Sequence, residues 1–156
     1  MTNILPQSAL MNRGAWLKTE MMVECWRNEA PITVFGGAIY MGDGAHGQSI
    51  PEEWGGFDRS DWFVESHNVK NPAYFWKVLV TSAVEGKAGF EDEDYIAFWM
   101  PNHESAKSAN VNDYLITIDN LNANLNRFLV PENIVLPNAN NRYSSVWEDP
   151  AGCNRA

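Results

Sequence analysis

Hydrophobic positions recur at helical spacing near the start of the chain. Taken as a helix from about Asn12 at roughly 100° per residue, Ala15, Trp16, Met22, Val23 and Trp26 fall on one arc of about 120°. Asn12 falls in the middle of that arc. An unsatisfied buried amide costs roughly 1 to 3 kcal/mol, so this pattern expects a polar partner facing Asn12. Glu20 sits at the edge of the same arc, about 12 Å further along the axis. Ser8 is an N-cap candidate if the helix begins early, and Pro31 closes the helical region. Gly14, near the start, costs up to about 1 kcal/mol against Ala. Either it is a tolerated first-turn glycine or a neighbouring backbone or ligand comes close there.

The period then changes. Ile32-Thr33-Val34-Phe35 reads as a buried strand running into a tight passage at Gly36-Gly37, then Ala38-Ile39-Tyr40. Paired glycines after a strand can cradle a phosphate, but no helix start with a lysine follows, so this is not a P-loop. Met41 to Lys70 has no sustained period and reads as a solvated, Trp-anchored surface loop whose Asp residues lack the EF-hand spacing. Ala73 to Thr81 suits a central strand, with Tyr95 to Met100 as its antiparallel partner. Lys77 interrupts the first of these, with its stem expected along the sheet and its amine at the rim. The acidic run Glu91-Asp92-Glu93-Asp94 reads as a solvated tip, because adjacent carboxylates beside a strand point in alternating directions and cannot converge on one ion. A second helix follows, with Thr117 as N-cap and Ile118, Leu121, Leu125 and Phe128 or Leu129 on one face. Pro131 to Ala156 reads as an irregular tail pinned by Ile134, Val135, Tyr143 and Trp147. The expected fold is α+β, a mostly antiparallel sheet flanked by helices, in one domain over residues 1–156.

Composition sharpens this picture. With 45% apolar residues and seven Trp, a chain of this length can bury a real core. Seven Trp and five Tyr also raise a carbohydrate-binding module, but most of them lie in strands and on the helix arc, where core packing accounts for them. The net charge of -9 argues against a broad electrostatic footprint for nucleic acid, so any phosphate contact is expected to be local, around Arg13 and Lys18. Cys25 and Cys153 allow one disulfide or two free thiols. No signal peptide is readable and no stretch reaches the 18 apolar residues of a membrane span, so no membrane contact is expected and the compartment stays open.

The sequence Thr2-Asn3-Ile4-Leu5-Pro6-Gln7, the spacing Asn12-x-Gly14-x-Trp16-x-x-x-Glu20, Gly36-Gly37-x-Ile39-Tyr40, Pro72 to Val80 and Ala97-Phe98-Trp99-Met100-Pro101-Asn102 resemble the DNA/RNA non-specific endonuclease family. The resemblance covers most of residues 2 to about 130. It implies the ββα-metal fold and hydrolysis of DNA and RNA with Mg²⁺, or Mn²⁺ in its place, as cofactor. It also implies that Asn12 is the direct protein ligand of the metal and that Glu20 orders a metal-bound water, which suits a hard cation that keeps several waters. Members carry an upstream Asp-Arg-Gly-His motif whose His is the general base. No such motif occurs in this sequence, and His46, His67 and His103 stand in other contexts. The domain therefore reads as N-terminally incomplete, without its N-terminal strands, and its members are often exported. In many members a basic residue stands where this chain has Glu24, with Arg27 the nearest cation downstream. Two functions follow: a metal-dependent endonuclease, or the downstream part of one, and an inactive relic or partner-binding module of the same fold.

Overall fold

Aromatic and β-branched residues pack well on a pleated surface, and the two richest runs form the centre of the sheet. A computed structural model of the chain describes residues 5–40, 63–64, 69–70, 72–86, 92–127, 140–142 and 153. The chain enters through α1 (Ala9–Met11), passes through one π-helical turn (Asn12–Trp16) and continues as α2 (Leu17–Trp26). β1 (Ile32–Ile39) follows, then a short antiparallel ladder of β2 (Phe63–Val64) and β3 (Val69–Lys70). β4 (Tyr74–Thr81) and β5 (Asp94–Pro101) pair antiparallel with Tyr74 opposite Pro101 and Thr81 opposite Asp94. A 3₁₀ helix (Ser108–Tyr114), β6 (Leu115–Ile116), α3 (Ile118–Arg127) and β7 (Asn140–Arg142) complete the described elements. The expected α+β architecture is present, with strand order β1-β4-β5-β6 and β7 parallel to β5.

Alternation along β4 and β5 sends side chains to two faces, and each face is covered by a helix. Phe75, Leu79, Ile96, Phe98 and Met100 pack with Met11, Ala15 and Met22 from the N-terminal helix. Tyr74, Val78, Tyr95, Ala97 and Trp99 pack with Ile118, Leu121 and Leu125 of α3. Thr117 caps α3 as expected, its Oγ1 accepting the Asn120 N–H at 3.2 Å. Ser8 occupies the N-cap position of α1 without a side-chain cap bond. Its N–H instead donates to Asn102 Oδ1 at 2.6 Å. The Asn102 amide donates to Pro6 O (3.1 Å) and Pro72 O (2.8 Å), so this one side chain ties the end of β5 to the segments that enter both α1 and β4.

Three expectations are corrected. β1 is one continuous strand through Gly36-Gly37, and Thr33 to Gly36 are exposed because it forms an edge of the described sheet, with Val34 46% and Phe35 41% exposed. Gly37 is needed there for packing: a Cβ would meet the Trp76 indole Nε1 at 2.7 Å. The stretch from Met41 to Lys70 contains the β2–β3 ladder, and the rest of that reading, including residues 41–62, lies outside the described residues. The tail contributes β7, although Asn140-Asn141-Arg142 has no strand-like composition. Its pairing to Asp94–Ile96 rests on backbone hydrogen bonds that side-chain pattern does not report. Among the described residues, no helix is long and apolar enough to cross a membrane.

Cys25, buried near the end of α2, is bonded to Cys153 across a separation of 128 residues. Closing so long a loop removes much denatured-state entropy, about 4 to 5 kcal/mol in the chain-entropy description. Reduction, or the pair Cys25→Ala and Cys153→Ala, is expected to lower unfolding stability by about 2 to 5 kcal/mol, read as a fall in the denaturant midpoint. Equal midpoints with and without reductant would contradict it.

Candidate functional site

The N-terminal helix places its polar residues through a local irregularity. Gly14 departs from helical geometry (φ -110°, ψ -108°) inside the π turn. A Cβ at this position would lie 2.8 Å from Ala106 O and 3.0 Å from Lys107 Cα. The Ala15 N–H donates to Ala106 O at 3.1 Å. Glycine is therefore there because another stretch of backbone comes close, which settles the choice left open by the sequence.

The π turn also corrects the position of Asn12. The non-helical dihedrals of Gly14 break the helix between Asn12 and Ala15, so a wheel drawn at 100° per residue does not carry across that point to Asn12. Ala15 and Met22 are buried and Trp16, Val23 and Trp26 are half-buried, as the arc requires, whereas Asn12 is exposed. Its amide needs no buried partner. Glu20 is also exposed.

Beneath this helix, Lys77 of β4 is only 5% exposed. The expected rim amine is instead enclosed. Lys77 Nζ donates to Thr19 Oγ1 at 2.8 Å, and Thr19 Oγ1 donates to Trp16 O at 2.7 Å. The ammonium lies 3.6 Å from the centroid of the Trp16 ring, and Trp16 meets Phe75 edge-on at 5.5 Å. Burial pushes the Lys77 ammonium down to about 8, and the negative charge of Glu20 pulls it back up. The cation thus sits between Trp16, Thr19 and the field of Glu20. The sequence signal was a lysine in an otherwise apolar strand, and only the helix packed over it distinguishes a buried cation from a snorkelling one.

Other candidates separate from this group. Arg27 forms an i,i+3 ion pair with Glu24 at 2.5 Å, so the nearest downstream cation is already engaged. His103 Nδ1 accepts the Ser105 N–H at 3.1 Å, holding the imidazole to its own loop. His46 and His67 lie outside the described residues. Arg13 and Lys18 share a groove of about 320 Å³ with Gly14, Leu17, Met21 and Ser108.

The family model for DNA/RNA non-specific endonucleases matches residues 1–133. The chain belongs to the DNA/RNA non-specific endonuclease family. A comparison with curated proteins finds none that matches. In this endonuclease-family chain the matched span includes the π turn, α2 and the whole β4–β5 hairpin. Among the described residues, no three His, Cys, Asp or Glu side chains converge on a metal position, so no enclosed cage is present there. Asn12 and Glu20 offer hard oxygen donors, and their exposure leaves room for a cation that retains most of its waters, as Mg²⁺ does.

The burial of Lys77 gives a pH signature. Its proton is harder to hold in the folded state, so the penalty is present in full below about pH 8 and is relieved as pH rises toward the unfolded value. Relative to Lys77→Met, wild-type stability is expected to rise by about 2 kcal/mol between about pH 7.5 and about pH 9.5. Parallel curves for the two proteins in denaturant titrations would refute the buried ammonium.

Proposed function

We propose that this chain hydrolyses phosphodiester bonds of DNA and RNA without sequence preference, using Mg²⁺, or supplies the metal-holding part of such an endonuclease. The observation that carries the reading is the family match across the segment bearing Asn12, Gly14, Trp16 and Glu20. In this reading Asn12 would hold the metal through its amide oxygen, and the Glu20 carboxylate would act on it through water. When bound, the cation neutralises charge on the scissile phosphate and its leaving oxygen. The charge of Glu20 acts on Lys77, while Thr19 and Trp16 fix the lysine. Arg13 and Lys18 hold phosphates of the strand.

A general base is the part this chain does not contain in the family's form, since Asp-Arg-Gly-His is absent from the sequence. A missing general base typically removes a factor of about 10² to 10⁴. A second reading, an inactive relic or partner-binding module, is favoured by the engagement of His103 with its own loop and by the Glu24–Arg27 pair.

Plasmid and RNA cleavage in Mg²⁺ separates the two readings. The proposal expects slow, EDTA-sensitive nicking that accelerates by about 10² to 10⁴ when an Asp-Arg-Gly-His segment is joined upstream, and that Asn12→Ala abolishes in both forms. Silence from the chain and its extended form, with native circular dichroism, would leave the binding-module reading in place.

A further inference from the structure

β1 is the end strand of the described sheet and pairs, among the described residues, with β4 alone. Its eight residues, Ile32 to Ile39, oppose Thr81 to Tyr74 one for one, so no bulge turns the edge away. At both ends of the strand an odd-numbered carbonyl faces β4: Pro31 O accepts the Ser82 N–H at 3.1 Å, and Ile39 O accepts the Ala73 N–H at 2.7 Å. Backbone groups alternate sides along an antiparallel strand. Ile32, Val34, Gly36 and Ala38 therefore aim their N–H and C=O groups away from β4. Thr33 to Gly36 are all exposed, and Gly36, which has no side chain, is exposed through its backbone.

Sheets usually guard such an edge with lysine, proline or a bulge. β1 has none of these and carries no charge, in a chain with 20 acidic and 11 basic residues. Instead Val34 is 46% and Phe35 41% exposed, and the two point to opposite faces. Val34 lies opposite Leu79, on the face covered by the N-terminal helix, and Phe35 opposite Val78, on the α3 face. An edge that is apolar on both faces, with outward backbone groups between them, suits an extended chain as its partner. β1 itself meets that description. Placed antiparallel about a two-fold axis at Phe35, a second copy sets its Gly36 against Val34 and its Ala38 against Ile32, so each larger side chain meets a smaller one. The same register uses every outward backbone group, in about eight hydrogen bonds. Thr33 falls opposite Gly37, and Phe35 faces its own copy in a non-hydrogen-bonded pair, where side chains come closest.

We infer that β1 is the interface of a two-fold dimer of this chain, in which two β1 edges pair antiparallel and the sheet runs on from one copy into the other. The inference rests on neither nucleic-acid binding nor metal chemistry. Eight residues a side is well below the roughly 20 to 30 of a standard interface, so the association is reversible and depends on concentration.

Sedimentation velocity of the full chain over about a hundredfold range of concentration tests it, at moderate salt because two chains of net charge -9 repel. Monomer is expected to pass into dimer, and the Val34 and Gly36 amides to gain protection from hydrogen exchange only in the dimer. Val34→Lys, at an exposed position, is expected to raise the dimer dissociation constant at least about tenfold while the amides of β4 and β5 stay as protected as in wild type. Phe35→Cys treated with oxidised glutathione is expected to form a disulfide between copies, and Thr33→Cys, which faces Gly37, to form far less. Four results would each overturn the inference: monomer at every concentration, an unweakened dimer in Val34→Lys, equal cross-linking at both cysteines, or Val34 and Gly36 amides already protected in the monomer, which would put another segment of the same chain on this edge.

Discussion

At Gly14 a second stretch of backbone, residues 106–108, lies against the π turn with no space for even one additional carbon. This contact sets how the N-terminal helix meets the sheet. Met11 and Ala15 are buried on either side of it, and the Ala15 N–H bonds across it to Ala106 O. The break in helical geometry at Gly14 lets both contacts form while the helix resumes at Leu17. Asn12 is exposed on the near side of that break, and the groove lined by Arg13 and Lys18 opens beside it.

The second constraint is a cation where the pattern asks for hydrocarbon. A lysine in the central strand is enclosed by the helix, and three groups soften its desolvation: the Thr19 hydroxyl, the Trp16 ring and the charge of Glu20. Since the Thr19 hydroxyl donates a hydrogen bond to Trp16 O, the cation is linked to the helix backbone four residues beyond Asn12. The helix is thereby held at two points, by backbone contact at Gly14 and by charge at Thr19, while Asn12 and Glu20 are each exposed.

What could be read from the chain alone follows from where each signal is local. The β4–β5 hairpin and α3 are written in period and in one cap, Thr117, and both formed as expected because neighbouring residues suffice to specify them. The motif Asn12, Gly14, Trp16, Glu20, together with those at residues 2–7, 36–40, 72–80 and 97–102, carried the resemblance, and the family match over residues 1–133 bears it out. The orientation of Asn12 was not legible, since an α-helical wheel assumes 100° per residue and the non-helical dihedrals of Gly14 break that assumption. Lys77 was misplaced for a different reason: strand patterning reports which face a residue takes, not what packs over it. The Cys25–Cys153 bond joins segments 128 residues apart, and the parallel pairing of β7 spans the connection from β5 through α3. No local pattern encodes either.

Helix propensity and packing make opposite forecasts at Gly14, and this makes one substitution decisive. Gly14→Ala gains about 1 kcal/mol from propensity alone, whereas forcing a Cβ against unyielding backbone typically costs about 1 to 3 kcal/mol. Measuring the stability of Gly14→Ala together with hydrogen exchange at the Ala15 amide tests the contact directly. The account predicts a net loss of stability and faster exchange at Ala15, as its bond to Ala106 O is pushed open. A variant more stable than wild type, with Ala15 as well protected as before, would contradict it.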